Sequence, residues 1–258
     1  MGDLKNIWVK YIVFMEAQLG DELGRGGYGI VYVDKANPGR CIKVSNKNPG
    51  NESCRQWSNE YKKITSFMDR IVGHPLYKKL DMARVVAPHE FIETNGACYM
   101  ILPRVFRPEG RGMNLPTLQA QLGWPAGRMV HKGRGEFIGL KEILEYVSVD
   151  EVLKACYDLG ILMGLIHHIG RNDAYDVEVY LGKEANSKKC RFYVADFDLS
   201  EQVKEYDEDT IERMIWSLDA VPYFPREVVD ISMFKVFREG YEKVVPVDIA
   251  AKVFEGYG

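Results

Sequence analysis

The stretch that most constrains the fold is an apolar helix pattern running directly into two short strands bracketed by acids. In VDEVLKACYDLGILMGLIHHIG, which begins at Val149, apolar residues recur at Val152, Leu153, Cys156, Leu159, Leu162, Met163, Leu165 and Ile166. That spacing predicts a largely buried helix from Val149 to His168. The following residues, 165–199, carry Asp173, Asp176, Glu178, Glu184, Asp196 and Asp198. Val177, Val179, Tyr180 and Leu181 read as one strand, and Phe192, Tyr193 and Val194 as a second. Two such strands put carboxylates at one rim of a pocket, where they bind cations or metals, or move protons. The plain alternative is a hairpin with solvated loop acids. Against it, Asp196 and Asp198 sit inside an apolar run, where an unpaired charge is costly. His167 and His168 end the helix and read as residues that orient the next loop rather than as bases.

The chain has 258 residues, enough for one domain with two lobes or for two small domains. Its net charge of −3 gives no global pull toward nucleic acid, so any such binding must rest on a local patch. Five scattered cysteines with no C-x-x-C pair fit a reducing compartment, and they argue against a disulfide framework and a zinc site. MGDLKNIWVKYIVF is too polar for a signal peptide, and Lys5 and Asn6 stand where myristoylation needs Ser or Thr. No uninterrupted apolar run approaches the roughly 18 residues of a membrane span. The expectation is a cytoplasmic protein without a membrane partner.

Toward the N-terminus, Gly24, Gly26, Gly27 and Gly29 precede the strand-like Ile30–Val33. Glycines permit a tight turn whose amides can approach a phosphate, although a bare hairpin turn would use them too. A second strand, Arg40-Cys41-Ile42-Lys43-Val44, places one lysine among apolar neighbours. A helix from about Arg55 to Ile71 carries Glu60. Two more strands are expected at Val85–Ile92 and Ala97–Leu102 around the turn Thr94-Asn95-Gly96, with a connector at Tyr99–Pro103.

Residues 103–135 carry Arg104, Arg107, Arg111, Arg128, Lys132 and Arg134 against the single acid Glu109. With four prolines, several glycines and the aromatics Phe106 and Trp124, this basic insert reads as poor core. It can follow a phosphate backbone, or simply balance acids elsewhere as a solvated loop. Helical patterns at Gly139–Tyr146 and Met233–Tyr241, a charged segment at 201–213 and an amphipathic tail complete the chain.

The glycine hairpin, Lys43 and Glu60 together resemble the start of a protein kinase. The resemblance implies an α+β, protein-kinase-like bilobal fold with a small β-rich N-lobe (1–102) and a helical C-lobe (103–258). It implies that Gly24, Gly26, Gly27, Gly29, Lys43 and Glu60 form a nucleotide site, with ATP and Mg as cofactors. Asp173 takes the place of the kinase catalytic aspartate. Glu178 stands where a metal-binding asparagine is expected, and Asp196-Phe197-Asp198 stands for Asp-Phe-Gly, so Glu178 and Asp196 would be the metal ligands. The His-Arg-Asp and Ala-Pro-Glu motifs are missing.

A closer resemblance covers residues 137–226. Phe137–Leu140, the run Asn172–Gly182 with its D-x-x-D-V-E motif (Asp173, Asp176, Glu178), Ala195–Asp198 and Pro222–Arg226 resemble a fungal domain family. Within that neighbourhood the motif is similar to the signature of arginine-containing cyclodipeptide synthases. The resemblance implies a natural-product enzyme that condenses arginyl-tRNA with a second aminoacyl-tRNA into a diketopiperazine, with no cofactor or metal. On that basis Asp173, Asp176 and Glu178 are catalytic candidates. Glu178 or Asp173 would be the base, and Asp176 or Asp196 would help bind arginine, with Asp198 and Tyr175 beside them. Arg104, Arg107, Arg111, Arg128, Lys132 and Arg134 would meet tRNA. Ser200 and Ser217 are nucleophile candidates only by elimination. The alternatives are a kinase-like phosphotransferase and a kinase-like module that binds without catalysis.

Overall fold

The computed structural model describes residues 18–25, 29–45, 52–94, 97–108, 118–131 and 135–257. Short β-branched and aromatic runs in the first hundred residues pair as strands. These are β1 (Leu19–Arg25), β2 (Gly29–Asp34), β3 (Arg40–Ser45), β5 (Glu90–Thr94) and β6 (Ala97–Pro103). They form an antiparallel sheet in the order β1-β2-β3-β6-β5. Across this sheet lies α1 (Glu52–Ile71). Its buried residues Cys54, Trp57, Glu60, Ile64, Phe67 and Ile71 recur every three or four positions and so share one face. Gly29 is needed where it stands, because a Cβ there would meet the Trp57 ring at 2.4 Å.

The expected strand Val85–Ile92 is instead two strands in two sheets. β4 (Ala83–Val85) pairs in parallel with β11 (Arg191–Ala195), whereas β5 pairs with β6. Pro88 lies between them and has no amide hydrogen to continue a ladder. The connector is also displaced. Tyr99–Pro103 is strand, and the crossing follows at Arg104–Phe106, where Phe106 and Lys183 exchange backbone hydrogen bonds of 2.8 Å.

The C-terminal region is helical but also holds a six-stranded sheet in the order β4-β11-β10-β7-β9-β8. Its further strands are β7 (Leu118–Gln121), β8 (Arg128–His131), β9 (Gly135–Gly139) and β10 (Glu178–Gly182). This corrects the reading of the basic insert as poor core. Leu118 and Ala120 are fully buried, and β7 pairs with β10 and β9. Besides the short α2 (Pro75–Lys79) and α3 (Leu140–Ile143), four helices follow: α4 (Val149–Gly164), α5 (Glu208–Asp219), α6 (Ile231–Glu242) and α7 (Val247–Gly256).

The apolar pattern of α4 puts it at the centre of the main core. Ser148 and Glu151 cap it reciprocally, which satisfies two amides that the helix leaves unpaired. It packs tightly on α6 through glycines, since a Cβ at Gly160 would lie 2.0 Å from the Phe237 carbonyl. The helix continues as a π-helical turn, Leu165–Ile169, whose wider winding delivers His167 and His168 to the acidic stretch. By length and composition Val149–Ile169 would suffice to cross a membrane, but 72% of its most apolar 18-residue window is buried inside the fold.

The disulfide expectation is overturned. Cys54 of α1 and Cys98 of β6, 44 residues apart, form a disulfide beside Trp57 and Met100. Spacing along the chain gave no sign of it because helix-on-sheet packing, not local sequence, brings the two together. Cys41 and Cys156 are buried free thiols, and Cys190 is a half-buried one.

Candidate active site

Helix α1 acts as the strut from which the site is assembled. Lys43 projects from β3 to Glu60 on α1 at 3.3 Å and stands 3.9 Å from Asp196. Its ammonium also lies over the Trp57 ring, 5.4 Å from the centroid. Burial works against the Lys43 charge, but Glu60 and Asp196 more than offset it, so its pKa is raised and the group stays protonated. One turn on from Glu60, Lys63 donates to the backbone carbonyls of Asp198 and Ser200. Phe67 packs its ring against Phe197 at 4.9 Å, and Arg70 donates to the Gly170 carbonyl. Successive turns of α1 thus fix Asp196-Phe197-Asp198 from one side.

The loop between the π turn and β10 is held in an unusual backbone shape. Arg171, Ala174, Asp176 and, after β11, Asp196 all have positive φ, between 52° and 64°. For residues with a Cβ this region is sparsely populated, and it persists only where neighbours over-determine it. The neighbours are visible. Asn172 donates from Nδ2 to Ser200 Oγ and accepts the Ala174 amide. Asp173 Oδ1 accepts the amides of Tyr175 and Glu201, and Oδ2 accepts Arg213 Nε at 2.5 Å. Asp173 is therefore buried and bonded on both oxygens, which suits an anchor and removes it from the candidates for a base. Arg213 also covers the Tyr175 ring, 4.5 Å from its centroid, and Tyr175 packs on the half-exposed Trp216.

Glu178, first residue of β10, is the group whose surroundings most alter its chemistry. Tyr180 and Gln119 both donate to its Oε2, Gln119 at 3.2 Å. Burial, with the nearby Asp196 and Asp176 adding to it, pushes the Glu178 carboxyl up to about 7, although the two donors oppose the rise. Asp198, and Asp176 at the exposed edge of the cluster, are raised in the same direction by partial desolvation and by Asp196. Asp196 is thus the hub of the cluster, with Lys43 on one side and Glu178, Asp176 and Asp198 around it. Such a set carries more negative charge than one lysine offsets. It also holds a carboxylate that shares its proton near neutral pH.

Other expected site residues fall elsewhere. Arg107 and Arg128 both reach Glu136, each at 2.7 Å, and Glu136 has no exposed surface. Two of the arginines assigned to tRNA are therefore paired with a buried acid, Arg107 largely inside the fold and Arg128 at its exposed surface. Arg104 lies over Phe106 and donates to the Pro38 carbonyl. Arg111, Lys132 and Arg134 lie outside the described residues, as do Gly26 and Gly27. Gly24 in β1 faces Val31 across the hairpin.

Neither histidine is placed as a base. His167 is buried, with Nδ1 2.8 Å from the Tyr241 hydroxyl and Nε2 3.3 Å from Ser217 Oγ, and burial pushes it down to about 4. His168 is bonded to Tyr206. Ser200 and Ser217 donate to the carbonyls of Phe197 and Met214, so both hydroxyls are structural. A cavity of about 940 Å³ opens on the connector side, between Asn37–Gly39, Phe106 and the loop 183–188; Glu145 and Glu184 line it, but Asp176, Glu178, Asp196 and Asp198 do not.

The sequence reading missed Gln119, Lys63 and Arg213. Only a buried glutamine in a strand would have flagged the first, and nothing local marks the other two. Compared with models of known protein families and with curated proteins, the chain matches none.

Proposed function

We propose that this chain is a tRNA-dependent cyclodipeptide synthase that joins arginine, delivered as arginyl-tRNA, to a second aminoacyl group. The observation that carries the reading is Glu178, a carboxyl held near pKa 7 beside Asp196 and Asp176. An aminoacyl ester already stores the energy of peptide formation, so the protein must supply a base and a grip on the substrate. A free α-amine titrates at about 8, close enough to Glu178 for proton transfer in either direction near neutral pH.

In the first step the α-ammonium gives one proton to solvent, the free amine lone pair forms a C–N bond with the ester carbonyl, and Glu178 takes a second proton from that nitrogen as the bond forms. The C–O bond to the tRNA ribose then breaks, and the leaving hydroxyl takes the proton from Glu178. The dipeptidyl ester repeats the same chemistry on itself, its own amine attacking its own ester, and the ring is released. A positioned base of this kind contributes roughly a hundredfold or more. Asp196, with Asp176 and Asp198, would grip the guanidinium, whose planar fork matches carboxylate oxygens. Tyr175 would flank it. The tRNA would be met by Arg104 and by the basic residues at 111, 132 and 134.

Incubation with arginyl-tRNA and other charged tRNAs, followed by mass spectrometry of the small molecules, tests the proposal. A cyclic arginine dipeptide is expected from the wild type and none from Glu178→Gln. Equal product from the variant would remove Glu178 as base.

A second reading is favoured by one observation, the Lys43–Glu60 pair with Asp196 at 3.9 Å. Under it the protein is a phosphotransferase in which Lys43 meets nucleotide phosphates, and Asp196 and Glu178 hold Mg. It fits less well, because Tyr180 and Gln119 already donate to Glu178 Oε2, an oxygen that a metal would need. A melting temperature raised by Mg-ATP would favour it.

A further inference from the structure

The segment Pro222-Tyr223-Phe224-Pro225-Arg226 has no part in the chemistry above, yet the fold spends many contacts on placing it. The Leu122 amide donates to the Tyr223 carbonyl and the Gly123 amide to that of Pro222, which binds the segment to the end of β7. The Tyr257 hydroxyl donates to the Pro225 carbonyl at 2.6 Å, and Arg226 pairs with Asp219. Tyr223 is buried, and its hydroxyl donates to Gln119 Oε1 at 2.8 Å. Gln119, buried on β7, has its other end, Nε2, against Glu178 Oε2 at 3.2 Å.

An amide side chain has one accepting and one donating end, and turning it over exchanges them. With the tyrosine hydroxyl donating to the oxygen, only the N–H₂ end can face Glu178. Turned over, the amide oxygen would oppose the carboxylate and destabilise its anion. We propose that Tyr223 and Gln119 are positioning residues for Glu178, the tyrosine fixing which end of the amide meets the carboxylate. Both the amide and Tyr180 then hold Oε2. The inference rests on the reading of Glu178 as base only for its consequence in catalysis; the relay itself is a statement about which end of the Gln119 amide meets Oε2, carried by the contacts at 2.8 and 3.2 Å. The charged and titratable groups facing Glu178 are Asp196, Asp176 and Tyr180, none of which the variants below alter.

The test follows the Glu178 carboxyl band by infrared difference spectroscopy against pH, with Glu178→Gln as the blank, alongside the acid limb of product formation. One oriented hydrogen bond to a carboxylate corresponds to a shift of roughly 0.5–1 pH unit. Tyr223→Phe is expected to raise the midpoint by about that much, and Gln119→Met by at least as much. Tyr257→Phe removes a bond to the same segment without touching the amide, and should leave the midpoint in place. An unmoved midpoint in both Tyr223→Phe and Gln119→Met overturns the relay, as does an equal shift in Tyr257→Phe. A shifted midpoint in a protein that makes no cyclic dipeptide upholds the relay and rejects the reaction. Lost product with an unmoved midpoint shows that these residues serve only the packing.

Discussion

Replacing Glu178 by glutamine should make the protein inactive and, at alkaline pH, more stable. A carboxyl whose folded pKa is raised from 4.5 to about 7 binds its proton more tightly when folded than when unfolded. Between those two values the folded state carries more protons, so stability from this group falls as pH rises through the window, and the full penalty is present above pH 7. A shift of that size corresponds to about 3 kcal/mol at about 1.4 kcal/mol per unit. Glutamine has nearly the same shape, keeps an oxygen to accept from Tyr180 and Gln119, and has no charge to desolvate. The variant should therefore match the wild type near pH 4.5 and exceed it at pH 8. At roughly 2–4 °C per kcal/mol for a chain of this size, the gap in melting temperature should reach about 6–12 °C. Scanning calorimetry of both proteins from pH 4.5 to 8 measures it. A gap that does not grow with pH would refute the claim that burial beside Asp196 and Asp176 raises Glu178.

Three further outcomes are expected. Arg107→Met should lower the melting temperature by several degrees, because it strips one partner from the fully buried Glu136, and the salt dependence of RNA binding should stay unchanged; removal of a buried partner costs about 3–5 kcal/mol. Replacing Cys54 and Cys98 together by serine should destabilise the chain by about 2–4 kcal/mol in denaturant titrations, the scale for closing a loop between residues 44 apart, and a reductant should then have no further effect. Gly160→Ala should cost about 1–3 kcal/mol and loosen the packing of α4 on α6, which hydrogen exchange of α6 would report, since its Cβ would meet the Phe237 carbonyl at 2.0 Å.

How much of this was legible in the sequence depends on the range of the interaction. The helix over Val149–His168, the strands around Glu178 and Asp196, and the pairing of Lys43 with Glu60 could all be read. Periodicity and residue type along the chain encode them. The basic insert was misread because net charge hides pairing. Leu118 and Ala120 signal only a four-residue strand, and its partner β10 lies some sixty residues on. The acid that neutralises Arg107 and Arg128 is Glu136, one position past the counted segment. Asp173 looked like the catalytic acid by motif, but Arg213 and two backbone amides, distant in sequence, occupy it. Gln119 and the Cys54–Cys98 pair belong to the same class. Residue identity was plain, and only tertiary packing reveals the partner.

The central claim is that an acid cluster around Asp196 grips a cationic aminoacyl group while Glu178 moves its proton. The most direct measurement supplies arginyl-tRNA with a second charged tRNA and no ATP, and follows the low-mass products by mass spectrometry. An arginine-containing diketopiperazine that rises with an apparent pKa near 7 and vanishes in Glu178→Gln is the expected result. Absence of that product, with Mg-ATP stabilising the fold and its phosphoryl group passing to an acceptor, would contradict it.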